Sequence, residues 1–225
     1  MRPRLLDLFC CEGGAAAGYH RAGFDITGID RDPQPNYPFP FIQADALHPP
    51  VDLTMFDAIH ASPPCQHFTA YRRNVGESIT DRYDDLLEPT RAMLETAGRP
   101  YVIENVEGAP LVDPVTLCGS MFDLDVRRHR LFETNWGLQD HPWPCRHKIW
   151  GRRFKASTNR KPDSRYTIEV GAWNEKLELQ KRCMGVDHKI TLRGLSQAIP
   201  PAYTEHIGTQ LLAHIPATSR VTACD

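Results

Sequence analysis

The sequence predicts an α/β protein built on a mainly parallel sheet, and three observations carry that expectation. Short apolar runs alternate with stretches of helical spacing through the first 135 residues, several of those runs stop at an acidic residue, and a glycine turn joins the first run to the first helix. Alternation of this kind implies parallel strands linked by right-handed crossovers. The carboxyl ends of such strands share one side of the sheet, where open α/β sheets take their ligands. At 225 residues the chain is large enough for one well-buried core and a small appended lobe.

The elements follow in order. Arg4-Leu5-Leu6-Asp7-Leu8-Phe9 is the first strand, Glu12-Gly13-Gly14 the turn, and the helix after it stops at Gly23. Two further strands, Phe24 to Ile29 and Phe39 to Gln43, end at Asp30 and near Asp45. Phe56 to Ala61 leads into Pro63-Pro64-Cys65-Gln66, and residues 83–97 have helical spacing through Leu86, Leu87, Met93 and Leu94. Tyr101-Val102-Ile103 is a buried strand ending at Glu104, and Val126 to Phe132 reads as a strand with Arg128 and Arg130 on one face. From about Trp136 to Arg182 the pattern gives way to polar, basic sequence dotted with aromatics. Pro200-Pro201 then opens a final helix through Tyr203, Ile207, Leu211 and Leu212.

The chemistry gathers at the strand ends. Prolines fix the backbone and remove amide donors, so Cys65 is held in one orientation at a ligand-binding edge, as a nucleophile must be. A lone cysteine is more often a small buried hydrophobe, and it is the neighbours that tip the reading. The strand ending at Glu104 belongs beside the one leading to Cys65. A carboxyl group desolvated there gains the raised pKa that proton donation near neutrality requires. Arg128 and Arg130 can hold that acid, lower the thiol pKa and contact a phosphate or base oxygen. The glycine turn lets a ligand approach the backbone, and Asp30 is placed to accept hydrogen bonds from the two hydroxyls of a ribose. A nucleoside-bearing cofactor fits these residues, although Gly13-Gly14 lacks the full dinucleotide spacing. Asp45 is either a partner for an adenine amino group or a turn former.

Net charge is only −2, but it is unevenly spread. Residues 146–193 hold 13 Lys/Arg against 5 Asp/Glu, leaving 13 against 23 in the remainder, so one segment at net +8 is suited to a polyanion. Seven cysteines without regular spacing argue against a disulfide framework. There is no apolar run of membrane-spanning length, and Met1-Arg2-Pro3-Arg4 leads straight into a strand. A soluble, cytoplasmic protein without a membrane partner is expected.

Taken in order, Asp7-Leu8-Phe9 with Gly13-Gly14, Asp30, Asp45, Pro64-Cys65-Gln66, Glu104-Asn105-Val106, Arg128-x-Arg130 and Ala198-Ile199-Pro200-Pro201 resemble the blocks of the DNA (cytosine-5)-methyltransferases. The resemblance runs from residue 5 to about 213. It implies a Rossmann-like class I methyltransferase fold with a small appended recognition lobe and S-adenosylmethionine as cofactor. The implied division is a catalytic and cofactor-binding domain at 1–135, a short basic target-recognition region at 136–193, a C-terminal helix at 194–215 returning to the catalytic domain, and a tail at 216–225. Phe9, Gly13, Gly14, Asp30, Asp45, Pro64 and Gln197 are the implied cofactor residues. Cys65 is the implied nucleophile toward carbon 6 of a flipped cytosine, with Glu104 at ring N3, Arg130 at the base carbonyl and Arg128 at the Glu104 carboxylate.

Duplex DNA is the expected partner of a monomer. Gln66, Thr69, Arg72 and Arg73 lie in or beside the loop expected to close over the nucleophile, and Arg152, Arg153 and Lys155 in the basic segment; these are the expected DNA contacts. One branch of the family modifies transfer RNA, which is the alternative substrate; a catalytically silent DNA-binding protein is another reading. The chain departs from the family in three ways. Cys10-Cys11 stands where the first block usually has its second glycine, Ser196-Gln197 replaces a glycine-asparagine pair, and the recognition region is short. The longer Gln197 side chain alters the methionine end of the pocket and leaves room for a modified sulfonium cofactor. Cys145, His147, Cys183 and His188 flank the basic segment, where zinc would staple a small lobe, but their spacing is not that of a standard finger and no metal is expected.

The basic segment makes DNA binding depend on salt. If it neutralises about six phosphates, affinity for duplex DNA falls roughly a thousandfold between about 50 and 200 mM salt. Fluorescence anisotropy checks this, and an affinity unchanged over that range contradicts the assignment.

Overall fold

The computed structural model describes residues 1–68, 84–146, 152–153, 166–171 and 175–215, with 152, 153 and 166 described as backbone only. Seven strands form one sheet: β1 (Arg4–Leu8), β2 (Asp25–Asp30), β3 (Phe41–Gln43), β4 (Ala58–Ala61), β5 (Tyr101–Asn105), β6 (Val115–Leu117) and β7 (Arg130–Thr134), in the order β3-β2-β1-β4-β5-β7-β6. The first five are parallel, and β7 runs antiparallel to both β5 and β6. The expected mixed α/β, mainly parallel architecture is therefore present.

Strands β1 and β4 are buried almost throughout, even at Asp7 and His60, because both faces of the sheet are covered. Leu5 packs into a cluster with Tyr19, Phe24, Tyr203 and Ile207, while Leu6 and Leu8 face a second cluster with Ile59, Leu87, Leu94 and Ile103. The first helix, α1 (Gly14–Ala22), lies on the former side and α2 (Leu87–Ala97) on the latter. The last helix, α5 (Pro201–Leu211), presses against α1 so closely that a Cβ on Gly18 would lie 2.0 Å from the Pro201 carbonyl oxygen. Only glycine permits that approach. The Thr204 hydroxyl seals the contact by donating to the Ala15 carbonyl at 2.8 Å.

A third apolar cluster joins the body to the described part of the basic segment. Val126 and Ile168 meet there with Cys183 and Met184 of α3 (Leu177–Met184) and Leu195 of α4 (Leu192–Gln197). The short strands β8 (Arg152–Arg153) and β9 (Tyr166–Thr167) pair in parallel, and Val126 bridges Ile168. Among the described residues no helix is long and apolar enough to cross a membrane.

Two elements depart from the expectation. The strand read from Val126 to Phe132 begins only at Arg130, because Val126 is drawn to Ile168 and the residues between form no ladder. Strand β6 was not expected; at three residues with one buried side chain it is too short to show a period. Behind the sheet end, Arg91 of α2 forks onto Glu133 of β7, with Nε to Oε1 at 2.7 Å and the second guanidinium nitrogen to Oε2 at 2.8 Å. Glu133 also accepts the Val112 amide at 2.8 Å, so the pair ties α2, β7 and the β5–β6 loop together. Arg91→Met leaves that carboxylate buried and unpaired and lowers unfolding free energy by about 3–5 kcal/mol, measured by urea denaturation; adding Glu133→Leu restores most of it.

Candidate active site

The carboxyl ends of β1, β2, β4 and β5 open on one edge. After β4 the chain runs Ser62-Pro63-Pro64 and turns into a one-turn 3-10 helix, Cys65–His67, which begins at the half-buried thiol. The buried Asn105 at the end of β5 donates from Nδ2 to the Pro63 carbonyl at 3.0 Å and accepts the Val106 amide at 2.9 Å. This clamp fixes the proline loop against β5. Gln66 follows on the exposed side of the turn, and Pro64 is its N-cap.

Glu104 belongs to β5 itself, one strand over from the Cys65 loop, and is 6% exposed. Burial raises its pKa above the usual carboxylate value, against the opposing pull of Arg130, a Ser62 hydrogen bond and Arg128. Arg130 Nε lies 3.0 Å from Glu104 Oε1. The Cys65 thiol is also pushed up, by burial first, with Arg130 drawing it back and Glu104 adding to the rise. Arg130 and Arg128 both lower this pKa, as expected, but desolvation outweighs them and the net shift is upward.

The expectation that Arg128 is the partner of the Glu104 carboxylate is corrected, since Arg130 makes that ion pair. Arg130 holds Glu104, whereas Arg128 donates to the Ser196 carbonyl at the end of α4 and has its own carbonyl held by the Tyr203 hydroxyl at 2.7 Å. Arg128 Nε is buried with no hydrogen-bond partner among the described residues. Burial and the adjacent Arg130 charge push Arg128 down to about 9, which leaves it protonated at neutral pH. Two guanidinium groups thus face one carboxylate, and the spare donor suits a carbonyl oxygen or an anion.

Behind Glu104 runs a buried polar chain that sequence reasoning missed. Tyr19 Oη is 3.0 Å from His60 Nδ1, His60 Nε2 is 2.9 Å from Ser62 Oγ, and Ser62 bonds to Glu104. Burial pushes the His60 pKa down to about 3, so the ring is neutral. The phenol donates to Nδ1, which leaves Nε2–H to donate to Ser62 and the Ser62 proton to point at Glu104. The signal available in the sequence was a histidine inside an apolar strand, but its partner lies 41 residues away.

At the end of β2, Asp30 accepts the Cys11 amide at 2.9 Å on Oδ2 and the Asp32 amide at 3.0 Å on Oδ1, which keeps a lone pair on each oxygen for further donors. Phe9 and Cys11 adopt left-handed φ values of 58° and 45°, so the turn survives without the usual glycine. Gly13 has φ 85°, and a Cβ on Gly14 would lie 2.7 Å from Ala198 Cβ. The space over Gly14 is filled by the chain's own last block, so this glycine serves packing as well as the turn. Glu12 reinforces the same junction by accepting the Thr191 amide at 2.7 Å. Asp45 is exposed and closes its own turn, accepting Leu47 N–H at 3.0 Å and facing His48 Nδ1 at 2.9 Å. Gln197 is exposed at the end of α4. Thr69, Arg72, Arg73 and Lys155 lie outside the described residues, and Arg152 and Arg153 are described only as backbone.

A mainly parallel seven-stranded sheet whose next-to-last strand, β7, is reversed defines a Rossmann-like fold of the methyltransferase kind. Solved structures agree on that fold. The chain matches a prophage-encoded E. coli protein described as a DNA modification methyltransferase (TM-score 0.62, 15% identity, 94% of this chain and 99% of the other). It also matches S. pombe Dnmt2 methyltransferase (0.60, 15%, 95% and 99%) and the Entamoeba histolytica methyltransferase EhMeth (0.63, 11%, 96% and 99%). No protein-family model and no curated protein sequence matches the chain.

The Ser62 hydrogen bond has a pH signature. Glu104 has a raised pKa in the folded chain, so its contribution to stability is fullest in acid and is lost as pH rises through the folded value. Ser62→Ala removes a donor to the carboxylate and raises that pKa further. The variant's loss of stability is therefore about 1 kcal/mol greater at about pH 8 than at about pH 5. Urea denaturation at the two pH values checks this, and an equal loss at both contradicts the pairing.

Proposed function

We propose that the protein is a DNA cytosine-5 methyltransferase that uses S-adenosylmethionine. The observation that carries the reading is the convergence, at the ends of adjacent strands, of Cys65 with Glu104, the acid being paired to Arg130 while Arg128 keeps a free donor. The Asp30 carboxylate and the backbone turn from Phe9 to Gly14 fit a nucleoside-bearing sulfonium cofactor. When bound, that cofactor supplies an electrophilic methyl group. The exposed Gln197 belongs to its methionine end by resemblance.

The chain's own residues then have distinct tasks. Cys65, as thiolate, adds to carbon 6 of a cytosine flipped into the site, at a cost of a few kcal/mol for unstacking. Approach of the base brings new donors and acceptors to a thiol and an acid that are both short of solvation. Glu104, its pKa raised by burial, delivers a proton or hydrogen bond to ring N3, so that charge does not accumulate on the ring and carbon 5 becomes nucleophilic. Arg128 Nε is the donor for the base carbonyl, and Arg130 keeps Glu104 aimed. After methylation, loss of the carbon 5 proton and expulsion of the Cys65 thiolate restore the aromatic ring. The basic segment delivers the polymer, and duplex DNA bound by a monomer is its proposed partner.

Incubation with methyl-tritiated cofactor tests the proposal. Label is expected on carbon 5 of cytosine in duplex DNA, with Cys65→Ala reducing it by at least about a thousandfold and Glu104→Gln by about 10²–10⁴. Label found only in transfer RNA moves the substrate to RNA and keeps the chemistry. Label in neither, or label undiminished by Cys65→Ala, overturns the proposal.

A further inference from the structure

Of the residues considered for zinc, His147 lies outside the described residues, Cys183 is buried in the third apolar cluster, and His188 Nε2 donates to the Glu12 carbonyl at 2.8 Å. Cys145 has other company. The sulfurs of Cys118 and Cys145 and a ring nitrogen of His129 all lie within 4.8 Å of one another. We propose that Cys118, His129 and Cys145 form a structural zinc site that ties the arginine segment to the start of the recognition region.

The geometry is close to what zinc requires. Ordinary tetrahedral bond lengths put a nitrogen and a sulfur ligand about 3.6 Å apart and two sulfurs about 3.8 Å apart. His129 Nε2 and Cys145 Sγ are 3.4 Å apart. The supporting groups point the same way. His129 Nδ1 is 3.0 Å from Glu107 Oε1, the carboxylate–histidine arrangement that fixes the tautomer with Nε2 as the ring nitrogen turned toward Cys145. Ser120 Oγ accepts the Arg146 amide at 3.0 Å and lies 3.4 Å from Cys118 Sγ and 3.5 Å from Cys145 Sγ, so its proton can stabilise a thiolate.

The local chain is shaped to bring the three ligands together. Cys118 follows β6 and is fully buried. A one-turn helix, Gly119–Met121, then folds back so tightly that a Cβ on Gly119 would lie 2.3 Å from the Val126 carbonyl oxygen. That return places Cys118 beside the segment carrying His129, which sits between Arg128 and Arg130. A cleft lined by Ser120, Met121, Asp123, Trp143 and Arg146 lies next to the three residues, sharing Ser120, whose hydroxyl is 3.4 Å from Cys118 Sγ. Binding releases the two thiol protons, and two thiolates balance the dication, so no extra charge is placed beside the arginines. Three protein ligands leave a fourth position for water. The site is independent of the proposed reaction and survives its failure.

Metal analysis and cobalt(II) uptake test the proposal on the full chain purified without chelator. About one zinc per chain is expected. Cobalt exchanged for zinc gives thiolate-to-cobalt charge-transfer absorption, and X-ray absorption of the zinc form reports two sulfur and at least one nitrogen neighbour. Cys118→Ser and Cys145→Ser each weaken zinc binding at least a hundredfold, while Cys183→Ser leaves it unchanged. Less than a tenth of an equivalent of metal together with no cobalt absorption in protein with reduced thiols overturns the site, as does full zinc occupancy in both serine variants. Where a serine variant fails to fold, the sulfur and nitrogen count of the wild-type chain decides.

Discussion

A carboxyl group buried at the tip of a central strand must be neutralised or compensated, and around Glu104 the chain supplies compensation from three directions. Arg130 approaches along β7, Ser62 donates from the end of β4, and Arg128 adds its charge from the preceding segment. The antiparallel pairing of β7 with β5 sets Arg130 one residue beyond the Asn105–Leu131 pair, which is how a side chain 26 residues away reaches the acid. Without that reversed strand Arg130 would not reach this tip. The Arg91–Glu133 pair matters for the same reason, since it anchors the strand that carries Arg130.

The terminal helices are the other half of the device. Arg128 is oriented by the Ser196 carbonyl and by Tyr203, and the glycine turn before α1 is fastened to the N-cap of α4 through Glu12 and Thr191. Gly14 and Gly18 admit this packing because neither carries a Cβ. The first and last parts of the described chain therefore build one wall together. A substitution at that seam changes both the cofactor turn and the spare guanidinium donor, although it touches no reacting atom.

The strands and their acidic ends were legible in the sequence because each apolar run is short and stops at a polar residue. Glu104 and Cys65 could be placed side by side from that pattern alone. The arginine geometry could not, since it depends on Val126 being drawn to Ile168 and on Gly119 folding the chain back, both non-local events. The Tyr19–His60–Ser62 chain was hidden likewise: each residue has a bland reading by itself, and only the packing of α1 on β4 makes them a line. Asp45 closes its own turn, which is one of the two readings its place at a strand end allowed.

The central claim is that Cys65 reacts with carbon 6 of a cytosine under the direction of Glu104. Oligonucleotides carrying 5-fluorocytosine, whose carbon 5 fluorine cannot leave as a proton would, arrest the reaction after methylation. Denaturing electrophoresis and peptide mass spectrometry should find a covalent adduct on Cys65 that forms only with S-adenosylmethionine, on duplex DNA or on RNA. No adduct on either polymer, or an adduct on another cysteine, would contradict the account.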